Sequence, residues 1–404
     1  MKVIQLNCVY NFGSTGKIVK VLHEGLLQLG IDSYVYYGRG VKSKDYHVSR
    51  LSGEVIVKIQ SLFSKIIGNV YGGSCITTRR FIHAIKTLKP DVVHLQCINA
   101  NTVNVYKVLD YLQRNGIPTV LTLHAEFLYT GGCSHAFDCE GFKSGCFCCK
   151  MPKSKMGTFF IRRTHYHWEK MKSLVEKSSR LTIVGVSEWV KMRAESSPIF
   201  LNKKVHVIHN GVDTDVFYRR SQEEMEIIEE KYVLPKDKKI ILHVTPNFKD
   251  PNKGKDSLIK LAELSLNNNK DFCIVVVGYN DESTILPKNI IPISFILDPN
   301  ELASLYSLSM TTLLLSKRET YSMVCAESLC CGTPVIGYKA GAPELIALEN
   351  YSSFFEYGDV TAVFDAICNQ IENFFNPKVI ESTAKEKYSR NNMIYFYKNL
   401  YEQV

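Results

Sequence analysis

The chain of 404 residues contains no apolar run near the roughly eighteen residues a helix needs to cross a bilayer. No membrane span is therefore expected. Its start, Met1-Lys2-Val3-Ile4-Gln5-Leu6, lacks the long apolar stretch of a secretion signal and reads as a strand. The expected location is cytoplasmic. There is no internal repeat and no low-complexity linker, which excludes solenoids and extended tethers. Zinc-finger, RNA-recognition and helix-turn-helix signatures are absent, so nucleic acid is not an expected partner. The G-x4-G-K-S/T spacing of a nucleotide-triphosphate loop is missing too.

An apolar content of 45% is that of a globular protein with large cores, and the length suits two domains. Charge is unevenly spread. Residues 1–200 hold 27 Lys and Arg against 13 Asp and Glu, a net of +14, whereas residues 201–404 are net −5. A basic first half beside a mildly acidic second half points to an anionic partner for the first half alone. An anionic membrane surface or a phosphorylated acceptor fits that role.

Short apolar strands alternate with helical patterns along the first half: Val3–Val9, Ser33–Tyr37, Asp91–Leu95, Pro118–Leu123 and Leu181–Val186. After Val205–Asp213 the rhythm restarts with strands at Ile240–Val244, Cys273–Val277, Thr311–Leu315 and Pro334–Ile336. This β-α-β order predicts α/β domains built on two doubly wound, Rossmann-like parallel sheets that face a cleft. The predicted division is residues 1–204 and 205–379.

The richest stretch is Arg318-Glu319-Thr320-Tyr321-Ser322-Met323-Val324-Cys325-Ala326-Glu327, followed by Cys331-Gly332-Thr333-Pro334-Val335-Ile336. Glu319 falls in the turn after a buried strand and Glu327 inside the next helix. A helix N-terminus presents free N–H groups to phosphate, and a nearby carboxylate accepts hydrogen bonds from sugar hydroxyls. That pairing describes a sugar nucleotide; a solvated pair of helix-end glutamates is the bland alternative. Asn11-Phe12-Gly13-Ser14-Thr15-Gly16-Lys17 follows the first strand and opens a helix, where two glycines let a ligand approach the backbone. By spacing alone it is equally a plain tight turn.

The E-x7-E spacing followed by C-G-T-P-V-I resembles the signature of retaining glycosyltransferases of family four, which adopt the two-domain GT-B architecture. The resemblance covers the whole chain. It implies that Glu327 binds the ribose of a nucleoside diphosphate sugar and that Glu319 lies near the donor sugar. Tyr321, Ser322 and Met323 stand where the family meets the donor, with Tyr321-Ser322 in place of its usual Phe-Gly. The Gly13–Gly16 loop resembles the one facing the diphosphate and acceptor. Leu121-Thr122-Leu123-His124 resembles the T-x-H segment, whose His contacts the donor sugar. Relatives often continue with Asp; here Ala125-Glu126 follow, which signals a different sugar or acceptor. Lys253 in Pro251-Asn252-Lys253-Gly254 can meet the diphosphate as a point charge; an exposed loop lysine is the bland alternative. The family pairs it with an Arg six positions earlier, which here is Asn247, with Lys249 as the substitute cation. The last helix, within residues 380–404, is expected to cross back onto the first domain. Asp213-Thr214-Asp215 has a metal-binding D-x-D form but sits in the connection, where capping is the better reading.

Five of the thirteen cysteines lie in one run, Cys133, Cys139, Cys146, Cys148 and Cys149, directly after the His124 segment. Cys133, Cys139, Cys146 and Cys149 are the candidate ligands of a structural zinc, and a reduced metal-free loop is the alternative. No cofactor is expected for catalysis. Val55, Ile59, Leu62, Phe63, Ile66 and Ile67 share one helical face. It either turns into the core or lies on a membrane. Phe159, Phe160, Arg162, Arg163, Tyr166, Trp168, Lys170 and Lys172 pose the same choice.

The reading is a hexosyltransferase-type enzyme that moves a sugar, with retention, to a hydroxyl of a lipid-linked glycan in surface polysaccharide, capsule or O-antigen assembly. It would work in the cytoplasm, at the inner face of the membrane. A sugar-nucleotide epimerase on the same architecture and a non-catalytic sugar-nucleotide-binding subunit are the alternatives.

Overall fold

The computed structural model describes residues 1–99, 101–147, 149, 158–373 and 375–404; Cys148 lies outside them. They form two compact units, Met1–Asn210 with Met393–Val404, and Gly211–Asn392.

The first unit runs β1 (Lys2–Asn7), α1 (Gly13–Gln28), β2 (Asp32–Tyr37), β3 (Val48–Arg50), α2 (Glu54–Ile67), α3 (Cys75–Leu88) and β4 (Val92–Leu95). It continues with α4 (Val105–Arg114), β5 (Thr119–Leu123), α5 (Thr164–Lys177), β6 (Leu181–Gly185), α6 (Glu188–Glu195) and β7 (Val205–Val207). The strands pair in the order β3-β2-β1-β4-β5-β6-β7, all parallel. Strands β4 and β5 are buried along their whole length, as parallel strands covered on both faces must be.

The second unit runs α7 (Gln222–Lys231), β8 (Lys239–Val244), α8 (Lys255–Asn267), β9 (Phe272–Val277), β10 (Ile290–Ile293), α9 (Pro299–Leu308) and β11 (Thr311–Leu314). After these come α10 (Met323–Cys330), β12 (Val335–Tyr338), α11 (Pro343–Ile346), β13 (Ser352–Phe355), α12 (Val360–Glu372) and α13 (Pro377–Tyr388). Its sheet, β10-β9-β8-β11-β12-β13, is also all parallel. Ile241, Ile274, Val276, Leu313 and Ile336 of its strands pack against Leu258 and Leu261 of α8 and Val363 and Ile367 of α12. Chain order reverses across the sheet between β1 and β4 in the first unit and between β8 and β11 in the second. Ligands of open parallel sheets bind at the strand carboxyl ends at such a point.

The division between units differs from the one drawn from sequence. It falls after Asn210 and not after residue 204, because β7 pairs with β6 and completes the first sheet. Residues 380–404 are not one helix. α13 stays with the second unit, and α14 (Arg390–Gln403) belongs to the first unit from Met393 onward. There the Tyr397 hydroxyl lies 2.9 Å from Thr122 Oγ1, and the Tyr401 hydroxyl lies 2.6 Å from His94 Nδ1. Gly25 of α1 is the clearance for this docking, since a Cβ there would stand 2.3 Å from Ile394 Cδ1. Asp213 and Asp215 hold Arg390 at 2.5 and 2.7 Å, and Asp213 also accepts from the Asp215 N–H at 3.2 Å.

Candidate active site

In the second unit the candidate residues gather at the switch point. After β8 the chain makes a tight turn, Pro251–Lys253, capped by Asp250, whose side chain accepts from the Asn252 N–H. Gly254 follows at φ +85°; any Cβ would meet Leu315 Cβ at 2.3 Å and Leu315 O at 2.4 Å, so only glycine lets the turn lie against the residue that follows β11. The Lys317 N–H donates to Asn252 O at 2.8 Å and ties the loop after β11 to this turn. With both loops fixed, Lys253 Nζ stands 2.6 Å from Glu319 Oε1, with both side chains partly open to water. The Glu319 backbone is clamped from the other side by its N–H to Ala340 O at 2.9 Å and by the Ala342 N–H to its carbonyl at 3.2 Å. Glu344 holds that neighbouring loop through the N–H groups of Ala340 and Gly341, at 3.0 and 2.9 Å.

Helix α10 begins at Met323, and Ser322 caps it by accepting from the Cys325 N–H at 3.3 Å. Ser322 does so at φ +81°, a left-handed conformation that suits the glycine more usual in the family. Tyr321 is buried at 2% exposure. Its ring is therefore core, and only its backbone can face a ligand. Glu327, in the second turn of α10, accepts from the buried Tyr306 hydroxyl at 3.3 Å. The two glutamates thus have different settings, one against a lysine and one against a phenol. Behind Lys253, buried His243 is pushed down to about 4, by burial first and then by the Lys253 charge; its Nδ1 lies 3.2 Å from Leu313 O. Asn247 is exposed and occupied as a turn acceptor, taking hydrogen bonds from Asn280 Nδ2 at 2.8 Å and the Lys249 N–H at 3.2 Å. It supplies no cation there.

In the first unit, α1 opens at Gly13 with no side-chain cap and no acidic residue in its first turn, which suits an anion. Gly13 has φ +62°, and a Cβ on Gly16 would meet Val9 Cγ2 at 3.1 Å and Asn11 N at 3.2 Å. Gly13 and Ser14 are exposed and Thr15 half-buried at the carboxyl end of β1. Half-buried His124 follows β5, and burial pushes it down to about 4, so it is neutral near pH 7. Its Nε2 lies 3.2 Å from Gln96 Oε1, while Gln96 Nε2 donates to Gln5 Oε1 at 2.7 Å and Gln5 Nε2 to Ser33 Oγ at 3.1 Å. Gln96 thus bridges His124 and Gln5. Sequence reading missed Gln5 and Gln96. The available signal was a glutamine within an apolar strand and another just after one.

Glu126 is fully buried. It accepts from the Ala136 N–H at 2.7 Å and from Arg193 Nε at 2.7 Å. A buried carboxylate needs such partners, and here they pin the cysteine-bearing loop to α6. Burial pushes the Cys133 thiol up, with Cys149, Cys146 and Cys139 adding to the shift. The Cys146 thiol is raised to about 11, by burial first. The four thiols are thus electrostatic neighbours. Among the described residues, however, no three His, Cys, Asp or Glu side chains are arranged to hold a metal ion.

Helix α2 does not turn its apolar stripe into the core: it buries Val57 and Ser64 and exposes Val55, Ile59, Leu62, Phe63 and Ile66. The later aromatic cluster splits. Trp168 is buried and donates to Phe142 O at 2.8 Å, while Phe159 and Phe160 are exposed.

Two doubly wound sheets with candidate residues at their strand carboxyl ends define the GT-B class of α/β protein. A model described as Glycosyltransferase Family 4 matches residues 15–216, and one described as Glycosyl transferases group 1 matches residues 224–387. The chain belongs to the family 4 glycosyltransferases. It is 29% identical over 171 residues to an N-acetyl-alpha-D-glucosaminyl L-malate synthase of Bacillus anthracis, a match spanning 41% of this chain and 43% of that protein. It is 21% identical, over the full length of both chains, to the Escherichia coli (strain K12) protein WcaC, named as a colanic acid biosynthesis glycosyl transferase. The structure of Anabaena Alr3699/HepE in complex with UDP superposes with a TM-score of 0.68 at 12% identity, covering all of both chains. Among the described residues no helix is long and apolar enough to cross a membrane.

Proposed function

We propose that this glycosyltransferase moves a sugar from a nucleoside diphosphate sugar to a hydroxyl of a lipid-linked glycan, with retention, in surface polysaccharide assembly. The observation that carries the reading is the Lys253–Glu319 pair at the switch point of the second sheet, on the loops that lead to α8 and α10. In the reaction the bond from the anomeric carbon to the diphosphate breaks, a bond to the acceptor oxygen forms, and the hydroxyl loses its proton. Negative charge grows on the departing diphosphate. Lys253, the start of α10 and the backbone of Gly13, Ser14, Thr15 and Gly16 are assigned to that charge. Glu327 is assigned to the ribose, Glu319 and His124 to the sugar, and the backbone of Tyr321, Ser322 and Met323 to the donor. Asn247 lines the turn without charge, and Lys249 is the substitute cation. The donor is proposed to be a uridine diphosphate sugar, because the HepE structure of the same fold binds UDP. A polysaccharide acceptor is supported by the full-length likeness to WcaC, and an anionic membrane surface would bring the enzyme to it.

Thermal unfolding with a panel of sugar nucleotides tests the donor, since a ligand of the folded state raises its apparent stability. A uridine diphosphate sugar should give the largest shift, and acceptor-dependent release of the diphosphate should follow. If no nucleoside diphosphate stabilises the protein, the donor assignment is wrong. Release without a glycoside product would point to hydrolysis or epimerisation.

A further inference from the structure

We infer that the solvent face of α2, together with Phe159-Phe160-Ile161, is a docking surface for an anionic bilayer leaflet. The inference takes its purpose from the lipid-linked acceptor proposed above, but its observations are independent of the donor site. Along α2 the exposed positions are Val55 at 70%, Ile59 at 63%, Leu62 at 53%, Phe63 at 63% and Ile66 at 41%. They follow one another at helical spacing, so the helix presents one continuous apolar stripe to solvent. The stripe does not end with the helix. The Phe159 N–H donates to Lys65 O at 2.9 Å, and the Ile161 backbone lies so close to Gly68 that a Cβ there would stand 2.3 Å from its oxygen. This second segment adds Phe159 at 48%, Phe160 at 69% and Ile161 at 42% exposure. A contiguous exposed patch of this kind marks an interaction surface.

Charge decides the occupant. Lys58 lies on the helix among the apolar positions, and Lys65 Nζ stands 5.8 Å from the Phe159 ring. Arg162 and Arg163 follow directly and are exposed, while Glu54 at the helix start is the only acidic residue of α2. A second copy of this chain would bring the same cations together and be repelled. An anionic leaflet satisfies both properties at once. Its headgroups neutralise the four cations while Phe63, Phe160 and their neighbours enter the acyl boundary.

The test is co-sedimentation of the full chain with vesicles of phosphatidylcholine, with and without phosphatidylglycerol, at low and high salt. The parent should bind the phosphatidylglycerol vesicles at low salt and detach as salt screens the attraction. Phe63→Ser combined with Phe160→Ser should weaken binding by tenfold or more. Lys58→Gln and Lys65→Gln should each weaken it by about fivefold, the equivalent of one cation near an anionic surface. Nucleotide-induced thermal stabilisation should be unchanged in all of them, which also reports that they fold. Absence of binding at low salt, or equal binding by the parent and both kinds of variant, overturns the inference. So does a light-scattering mass that falls from dimer to monomer in the Phe variant, because the occupant would then be a second copy. Failure of the donor reading would show separately, as no nucleotide stabilisation in a parent that still binds vesicles.

Discussion

Lys253 and Glu319 hold each other at 2.6 Å, so an arriving diphosphate must compete with a carboxylate for the lysine. A partly exposed pair of this kind is worth about 0–1 kcal/mol. On the proposed roles, Glu319→Gln should therefore bind nucleoside diphosphate up to about fivefold more tightly, yet transfer sugar at least about tenfold more slowly. Titration calorimetry beside a transfer assay checks both; weaker binding in this variant would mean that the glutamate helps to hold the nucleotide. Lys253→Ala should lower the transfer rate more than donor affinity, whereas Glu327→Ala should chiefly weaken binding, each by about 1–4 kcal/mol. Ser322 poses a different question. Its left-handed backbone strains an L-residue by about 1–2 kcal/mol, which glycine would relieve. Glycine would also add about 0.5–1 kcal/mol of unfolded-chain freedom and lose the cap. Ser322→Gly should thus stay within about 0.5 kcal/mol of the parent, while Ser322→Ala, which keeps the strain and loses the cap, should be about 1 kcal/mol less stable. Urea midpoints of the two variants separate strain from capping.

At the scale of elements, α14 illustrates how a helix is placed by the surface it meets. An isolated 14-residue helix is marginal in water, so its order rests on docking through Tyr397, Tyr401 and the clearance at Gly25. Gly25→Ala should destabilise the first unit by about 1–3 kcal/mol, and adding Ile394→Val should restore part of the loss. A double-mutant cycle by denaturant unfolding measures that coupling; additive losses would mean α1 and Ile394 do not press on one another. The cysteine loop after β5 is the second case. Zinc at Cys133, Cys139, Cys146 and Cys149 is our proposal for what orders it, and the four thiols would have to draw together to bind. Their protons must leave, so zinc affinity should rise steeply with pH. Elemental analysis of protein purified without a metal-affinity tag should find about one equivalent. Free thiols titrating fully with no metal would leave a reduced loop pinned by Glu126 and Arg193.

For the whole molecule, histidines held neutral by desolvation set the acid limit. His124 and His243 are pushed down to about 4 by burial, and His94, between Thr122 and Tyr401, is also well below its ordinary 6.5. Between pH 6.5 and about 4 the unfolded chain binds protons at these positions and the folded chain does not. Stability is therefore full above the unfolded value and is lost as pH falls through that window, by an amount on the order of 1–3 kcal/mol per histidine. Denaturation midpoints measured from neutral to mildly acidic pH should fall accordingly, and His243→Gln should flatten the slope. A pH-independent midpoint would show that these rings bind protons equally in the folded and unfolded chain.

Sequence alone determined the architecture and named the residues of the candidate site. Strand patterns, the turn glycines and the E-x7-E run are short-range properties, written within a few residues and readable without neighbours. Thus β9, Phe-Cys-Ile-Val-Val-Val, is apolar throughout because both its faces are covered, and it could be recognised from that run. Pairings across the sheet were decided only by tertiary structure. Lys253 meets Glu319 across 66 residues, and Gln5 meets Gln96 across 91, because β8 lies beside β11 and β1 beside β4. The same holds for α2. Helical periodicity placed its apolar residues on one face but could not say what lay opposite. The fold leaves that face open, because Val57 and Ser64, on the other side, are the residues that turn inward.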